Sequence, residues 1–396
     1  MTAPRRPILY SSYYGDLDGG GELRMLDHLR HSSFGTGRFS VLCFQPGPLV
    51  GRLESWDIPT TVVPFRWELG PRQSALHYPR LFARVASRLR EAKPSLVISN
   101  GYLDLPLVGP AAALLGIPIL WRARAEWVPN LPPRPGARGR ATLWFLRHRV
   151  ARIATTTAYE RNLLVQRGIP PEHVTTVYNG VDVERFDRAR PARERIRREW
   201  GVPEGTTLLG VVARLSRLKG YEVMLDALRE LTKDAAPWRA VFVGENVEEP
   251  DYVASLKRRV EEMGLGDRIL FAGYREDVPE VLSALDVFVL SSLVEPFGTV
   301  VIEAMAAGKP VVSTRTRGPE EMLEEGVTGM FVPPGDAPPM ASAIRAMVSD
   351  QARARAMGEA ARADVARRFS LAAMMAGLDA ACLAAAPEAR PELEAG

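Results

Sequence analysis

Short apolar runs rich in Val and Ile alternate with helical periodicity through most of this 396-residue chain, and no other feature constrains its fold as tightly. In the second half the runs are Leu208 to Ala213, Ala240 to Val243, Ile269 to Ala272, Val287 to Leu290 and Val311 to Ser313. Amphipathic patterns separate them, such as Val253, Leu256, Val260 and Met263 at spacings of three and four. The first half repeats the theme less cleanly, with strand-like runs at Pro7 to Tyr10, Phe39 to Phe44, Leu96 to Ser99, Ile117 to Trp121 and Arg152 to Thr156. Strand, helix, strand order predicts an α/β fold whose parallel sheets are covered on both faces.

The length allows two or three domains. A break is expected near 179–205, where the Asn179-Gly180 turn precedes a charged helix from Arg188 to Trp200, closed by Gly201 and Pro203. Domains of 1–187 and 188–370 follow, with a small-residue helical pattern near 371–386 and a frayed tail over 387–396. Hydrophobic content of 46% and charged content of 25% are ordinary for a globular protein and allow a sizeable core. Cys43 and Cys382 make no disulfide framework and no C-x-x-C metal pattern, which fits a reducing cytoplasm. The start, with Arg5 and Arg6, runs directly into a strand, so no signal peptide is expected. The uncharged stretch Leu105 to Trp121 carries Pro106, Pro110 and Pro118 and reads as helix then strand, not as a membrane span.

Charge is distributed unevenly. Residues 1–190 hold 26 Lys and Arg against 15 Asp and Glu, a surplus of 11, while the rest hold 25 against 32, a deficit of 7, giving the net +4. A basic first half suits a solvated Arg-rich face, an anionic acceptor, or peripheral contact with the inner face of an anionic membrane. No nucleic-acid recognition motif accompanies the arginines.

Chemistry concentrates at strand ends. After the first strand, Tyr10-Ser11-Ser12-Tyr13-Tyr14-Gly15 leads to Asp18-Gly19-Gly20-Gly21-Glu22 and a helix with Leu23, Leu26 and Leu29. Glycines there let backbone approach a phosphate. After Leu208 to Ala213, Arg214 and Lys219 stand five apart where parallel sheets bind ligands, and both can neutralise a diphosphate. Glu295-Pro296-Phe297-Gly298 then opens a helical run from Thr299, and Glu303 lies about one turn (~3.6 residues) into it. Helix-start amides with two carboxylates suit a diphosphate next to sugar hydroxyls. No His cluster sits in a suitable loop; His28 and His31, three apart on a helix, read as surface decoration.

These motifs together resemble the retaining glycosyltransferases of family 4, which have the GT-B architecture. The resemblance rests on Val177 to Asp182 with Phe186, Val211 to Ser216 with Lys219-Gly220, Phe271 to Tyr274 with Asp277-Val278, and Glu295 to Gly298 through Glu303 to Val312. It is strong over 177–335 and looser over 1–170. It implies two Rossmann-like domains with parallel sheets facing an interdomain cleft, and a final helix that crosses back to the first domain. It implies that Arg214 and Lys219 grip the donor diphosphate, Glu303 the nucleotide ribose, and Glu295 the donor sugar, making Arg214, Lys219 and Glu295 the catalytic set. Backbone amides near Gly298, Thr299 and Val300 would hold a phosphate, Gly19 and Gly20 would close over it, Tyr274 would lie near the base, and Gly21 and Phe297 complete the donor-binding set. Cationic side chains and a helix start in these places make a metal unnecessary, so no cofactor is expected beyond the nucleoside-diphosphate sugar.

One departure stands out. Where many members place a His six residues beyond Pro118, this chain has Arg124, which cannot act as a base near neutral pH. Asp104, Arg124 and Glu126 are therefore the candidate acceptor residues, for a sugar, lipid-linked or small-molecule acceptor. A sugar-nucleotide epimerase of the same architecture and a nucleotide-sugar-binding protein without turnover are the competing readings.

Overall fold

The structure is a computed structural model that describes residues 6–17, 20–65, 70–124, 136–233 and 236–389, with side chains omitted over 70–76. Contacts divide the chain into two compact units, Met1–Asn179 with Met374–Gly396, and Gly180–Ala373.

The first unit holds a parallel sheet of β1 (Ile8–Ser12), β2 (Phe39–Cys43), β3 (Thr60–Val62), β4 (Leu96–Ser99), β5 (Ile119–Ala123), β6 (Arg152–Thr155) and β7 (Val174–Thr176), in the spatial order β3-β2-β1-β4-β5-β6-β7. The second holds β8 (Thr207–Val212), β9 (Trp238–Val243), β10 (Ile269–Gly273), β11 (Val287–Leu290), β12 (Val311–Thr314) and β13 (Gly329–Val332), in the order β10-β9-β8-β11-β12-β13 and again parallel throughout. Interior strands β1, β4, β5, β11 and β12 are buried along their whole length, the pattern of a sheet with both faces covered. Leu9, Leu42, Leu89, Val97, Val108 and Ile119 build the first core. Leu209, Val211, Leu225, Phe242, Val289 and Ile344 build the second.

Each sheet reverses its strand order once, between β1 and β4 and between β8 and β11. Chains leaving the carboxyl ends of such a neighbouring pair diverge, and the gap they leave is where open α/β sheets bind ligands.

Several expectations are corrected. The charged helix of 188–200 is broken into Val183–Ala189, a 3-10 turn Arg190–Ala192 and Arg193–Glu199, with Pro191 at the break, where it removes a backbone donor. The tail does not fray from residue 387: Pro387–Ala389 forms a 3-10 turn and Ala389 is fully buried. His28 is no surface decoration. It falls on the buried stripe of helix Gly20–His31 with Met25 and Leu29, and is fully buried. Its Nδ1 lies 2.5 Å from the Tyr10 hydroxyl and its Nε2 2.8 Å from Asp379, on helix Leu371–Ala385. Asp379 also accepts from Ser32 Oγ at 2.6 Å and from Ser33 N and Oγ at 2.8 and 2.6 Å, which ties the last helix to the first within one unit. Among the described residues no helix is long and apolar enough to cross a membrane; the uncharged stretch forms helix Leu105–Leu114 and then β5.

Candidate functional site

In the second unit the loops after β8 and β11 are laced together at the strand reversal. Ser291 Oγ donates to the Lys219 carbonyl at 2.7 Å, and Leu293 N to the Leu218 carbonyl at 2.8 Å. Gly220 takes φ 64° and lies so close to the β11 loop that a Cβ would sit 2.1 Å from the Ser291 oxygen, so this position requires glycine. The lacing brings Lys219 Nζ to 2.7 Å from Glu295 Oε2, which also accepts from Ser292 Oγ at 3.1 Å. Glu295 is only 7% exposed, and its carbonyl accepts from Gly318 N at 3.2 Å.

Three residues on, Gly298 adopts φ 87° and opens helix Thr299–Ala306. Thr299, Val300 and Glu303 are all half-buried on that helix. The first N–H groups of a helix have no partner within it and favour an anion. Arg214 begins the β8 loop with a side chain 64% exposed and its Nη1 3.7 Å from Glu248. Phe297 is 6% exposed, and Gly318 packs so closely on its backbone that a Cβ on Gly318 would lie 2.0 Å from the Phe297 oxygen. Tyr274, just past β10, is 65% exposed.

In the first unit the reversal between β1 and β4 holds a cavity of about 250 Å³, lined by residues after β1 (Tyr13, Tyr14, Gly20, Gly21, Glu22), after β4 (Gly101 to Asp104) and at the end of β5 (Arg124). Gly19 and Glu126 lie outside the described residues. Gly21 is the seat of Arg124: a Cβ would fall 0.7 Å from the guanidinium. Arg124 Nη2 stands 3.5 Å from Glu22, while its Nε is enclosed without a hydrogen-bond partner. Burial pulls the Arg124 guanidinium below its usual range, with Glu22 opposing.

Asp104 is 2% exposed. Its Oδ2 accepts from Ser11 Oγ at 2.5 Å, Asn100 N at 2.9 Å and Ser99 Oγ at 3.0 Å. Burial nevertheless pushes its carboxyl up to about 6, because desolvation outweighs those donors. The folded state thus holds this proton more tightly than the unfolded chain, whose carboxyl titrates near 3.8. The contribution of Asp104 to stability falls as pH rises from about 4 to about 6 and is level above. Asp104→Asn removes the charge. Relative to wild type it is expected to gain stability across that window, by at most about 3 kcal/mol at pH 7 given 1.36 kcal/mol per pKa unit. Denaturant unfolding of both proteins at pH 4, 5, 6 and 7 checks this; a difference that does not change with pH contradicts it.

Sequence reading missed the supporting groups, namely Ser11, Ser99 and Glu22 around Asp104 and Arg124, and Ser291, Ser292 and Gly318 around Glu295. Ser11, Ser99, Ser291 and Ser292 share a position at the carboxyl ends of strands that flank a reversal, which requires the strand order, whereas Glu22 lies on the helix after β1 and Gly318 in the segment after β12.

Comparison with known proteins bears on both units. The family model described as Glycosyltransferase Family 4 matches residues 19–185, and the model described as Glycosyl transferases group 1 matches residues 192–364. D-inositol 3-phosphate glycosyltransferase of Corynebacterium kroppenstedtii is 34% identical over 56% of this chain and 50% of its own. 2-Deoxystreptamine glucosyltransferase of Streptomyces kanamyceticus is 28% identical over 72% of this chain and 76% of its own. The chain spans about half the length of the inositol-phosphate and mannosylfructose-phosphate relatives it matches. Among solved structures, Anabaena HepE in complex with UDP-glucose superposes with a TM-score of 0.76 at 26% identity, over 93% of this chain and 97% of that one. Two doubly wound parallel sheets, a matched family model on each, and structural likeness along nearly the whole chain place it among the family 4 glycosyltransferases of GT-B architecture.

Proposed function

We propose that the protein transfers a hexosyl or N-acetylhexosaminyl unit from a nucleoside-diphosphate sugar to an acceptor hydroxyl, with retention at C1. The observation that carries this reading is the convergence of Lys219, Glu295 and the glycine-opened helix start at Gly298 on one strand reversal. A cation and free amides receive the diphosphate, and a carboxylate beside them receives sugar hydroxyls. The UDP-glucose named with the Anabaena structure supports this donor class and makes UDP-glucose the first donor to test.

As the bond from C1 to the diphosphate breaks, negative charge grows on the leaving group. In this reading Arg214, Lys219 and the helix start take up that charge, without reorganising at the moment of reaction. Glu295 orients the donor sugar while Lys219 holds its carboxylate in place. Glu303 accepts from the ribose, Thr299 and Val300 contribute backbone donors, and Tyr274 flanks the base. Retention follows if the acceptor attacks the face that the diphosphate leaves, assisted by that leaving group. In the first unit Asp104 and Arg124 hold the acceptor. Arg124 has no proton to accept at neutral pH, so its part is to bind and orient.

Incubation with UDP-, GDP- and ADP-sugars, with and without acceptors, tests the reading. A glycosylated acceptor supports it, isomerised donor would indicate an epimerase, and binding without turnover a sugar-nucleotide carrier. Two further outcomes are expected. Glu303→Ala weakens donor binding by about tenfold or more, the loss of one or two hydrogen bonds to a charged group, and leaves the unfolding midpoint in place; an unchanged donor Kd with lost stability makes Glu303 structural. Transfer persists in EDTA, and loss restored by Mn²⁺ would overturn the assignment of leaving-group charge to Arg214 and Lys219.

A further inference from the structure

A cavity of about 500 Å³ opens in the second unit at the amino ends of β8, β11 and β12, beside Thr207, Val287 and Pro310. The donor loops leave the opposite, carboxyl ends of β8 and β11, and none of their site residues lines this cavity. Five cations line it, Arg190, Arg193, Lys309, Arg355 and Arg362, against the two acids Asp286 and Glu359.

Most of these charges are already engaged. Arg193 Nη1 donates to the carbonyls of Ser283, Ala284 and Leu285 at 3.1, 3.0 and 2.8 Å, and its Nη2 to Asp286 at 2.5 Å. Arg197 takes the other Asp286 oxygen at 2.9 Å, and Arg190 and Arg362 both pair with Asp187. Lys309 Nζ donates to the Ser283 and Leu285 carbonyls, each at 2.8 Å, and to nothing else among the described residues. Both carbonyls also accept from Arg193, so neither depends on the lysine. They close helix Val278–Ala284, whose end favours a cation, and the Arg193 and Arg197 guanidinium groups already fill that place.

A neutral amine has two N–H bonds and one lone pair. At Lys309 the two carbonyls take the N–H bonds, and the lone pair is left at the cavity wall. An ammonium would instead carry a third N–H with no acceptor. Burial, with Arg193, Arg190 and Arg197 beside it, pulls the Lys309 ammonium down to about 7, against the pull of Asp286. Of the 51 basic side chains only five are lysines, at 93, 219, 233, 257 and 309. An arginine in this crowd would stay charged, whereas a lysine can give up its proton. Arg355, exposed at the same cavity, makes no hydrogen bond or ion pair among the described residues and is free to meet an entering anion.

We propose that Lys309 is a modification site, a nucleophilic amine that a small acyl phosphate acylates on Nζ. The lone pair attacks the acyl carbon, a C–N bond forms, and the bond from that carbon to the phosphate oxygen breaks. The amine gives up one proton, so the products are the amide and hydrogen phosphate. The cavity's arginines draw in the dianionic reagent and stabilise the charge that grows on the departing phosphate. Acylation makes position 309 permanently neutral and leaves one N–H for two carbonyls, which keep Arg193.

Incubation of the intact protein with acetyl phosphate between pH 6 and pH 10 tests this, with acetylation of each lysine mapped by mass spectrometry. An amine with the usual lysine pKa of about 10.4 is neutral in about one molecule in 2,500 at pH 7. Exposed Lys233 and Lys257 serve as the comparison. Lys309 is expected to react at least about tenfold faster than either at pH 7, at a rate that levels off above about pH 8. Arg355→Glu is expected to slow the reaction of Lys309 with acetyl phosphate about fivefold or more, and to leave its reaction with uncharged acetic anhydride within about twofold. Lys309 reacting no faster than the exposed lysines, or at a rate still climbing at pH 10, overturns the proposal. An Arg355→Glu protein whose Lys309 responds equally to the two reagents overturns the acyl phosphate as the class of reagent.

Discussion

Replacing Arg214 with alanine is expected to lower turnover by about 10²–10³-fold, the cost of losing a preorganised charge that stabilises a leaving group. The same change should leave the unfolding midpoint where it was. Arg214 is 64% exposed and Glu248, 3.7 Å away, is 78% exposed, so the pair contributes little to the fold. The combination matters, because a site residue that supports no structure is kept for its ligand. Steady-state transfer with saturating donor and a thermal unfolding curve together check it. Near-normal turnover would remove Arg214 from the proposed machinery, and a collapsed midpoint would show that its role is structural.

Lys219 is expected to behave differently because it serves both purposes. Lys219→Met leaves the Glu295 carboxylate, 7% exposed, without its counter-charge at 2.7 Å. Removing one partner of a fully buried pair costs about 3–5 kcal/mol. Lys219 is a quarter exposed, and solvent screening brings the expected loss to about 2 kcal/mol. Turnover should fall by about 10²-fold or more as well, since the cation facing the diphosphate is gone. The double variant Lys219→Met with Glu295→Gln separates the two effects. Removing both charges restores most of the stability, and turnover stays low. Recovery of turnover in the double variant would mean that Lys219 acts only by neutralising Glu295.

Runs such as Leu96–Ser99 and Val287–Leu290 appear with their boundaries intact because they are interior strands, apolar on both faces. Thr60–Val62, Val174–Thr176 and Gly329–Val332 went unread. All three are partly exposed sheet edges; Thr60–Val62 and Val174–Thr176 are mostly Thr and carry no continuous apolar run, and Gly329–Val332 is apolar but only four residues long and opens on a glycine. The meeting of Lys219 and Glu295 was legible as a candidate because each lies in a short contiguous motif, one on the loop after β8 and one just before a helix start. His28 was misread because its partner Asp379 is 351 residues away. The first unit's site was legible only as isolated letters. Asp104 and Arg124 draw their meaning from Ser11, Gly21, Glu22 and Gly101, which strand order alone brings together.

In the proposed reading the loops after β8 and β11 hold the diphosphate of an activated sugar. Calorimetric titration of the intact protein with UDP, GDP and ADP, repeated on Arg214→Ala, tests it most directly. The expected result is one nucleoside diphosphate bound in the micromolar range by wild type and at least tenfold more weakly by the variant, in EDTA throughout. Binding of none of the three, or equal affinity in both proteins, would contradict it.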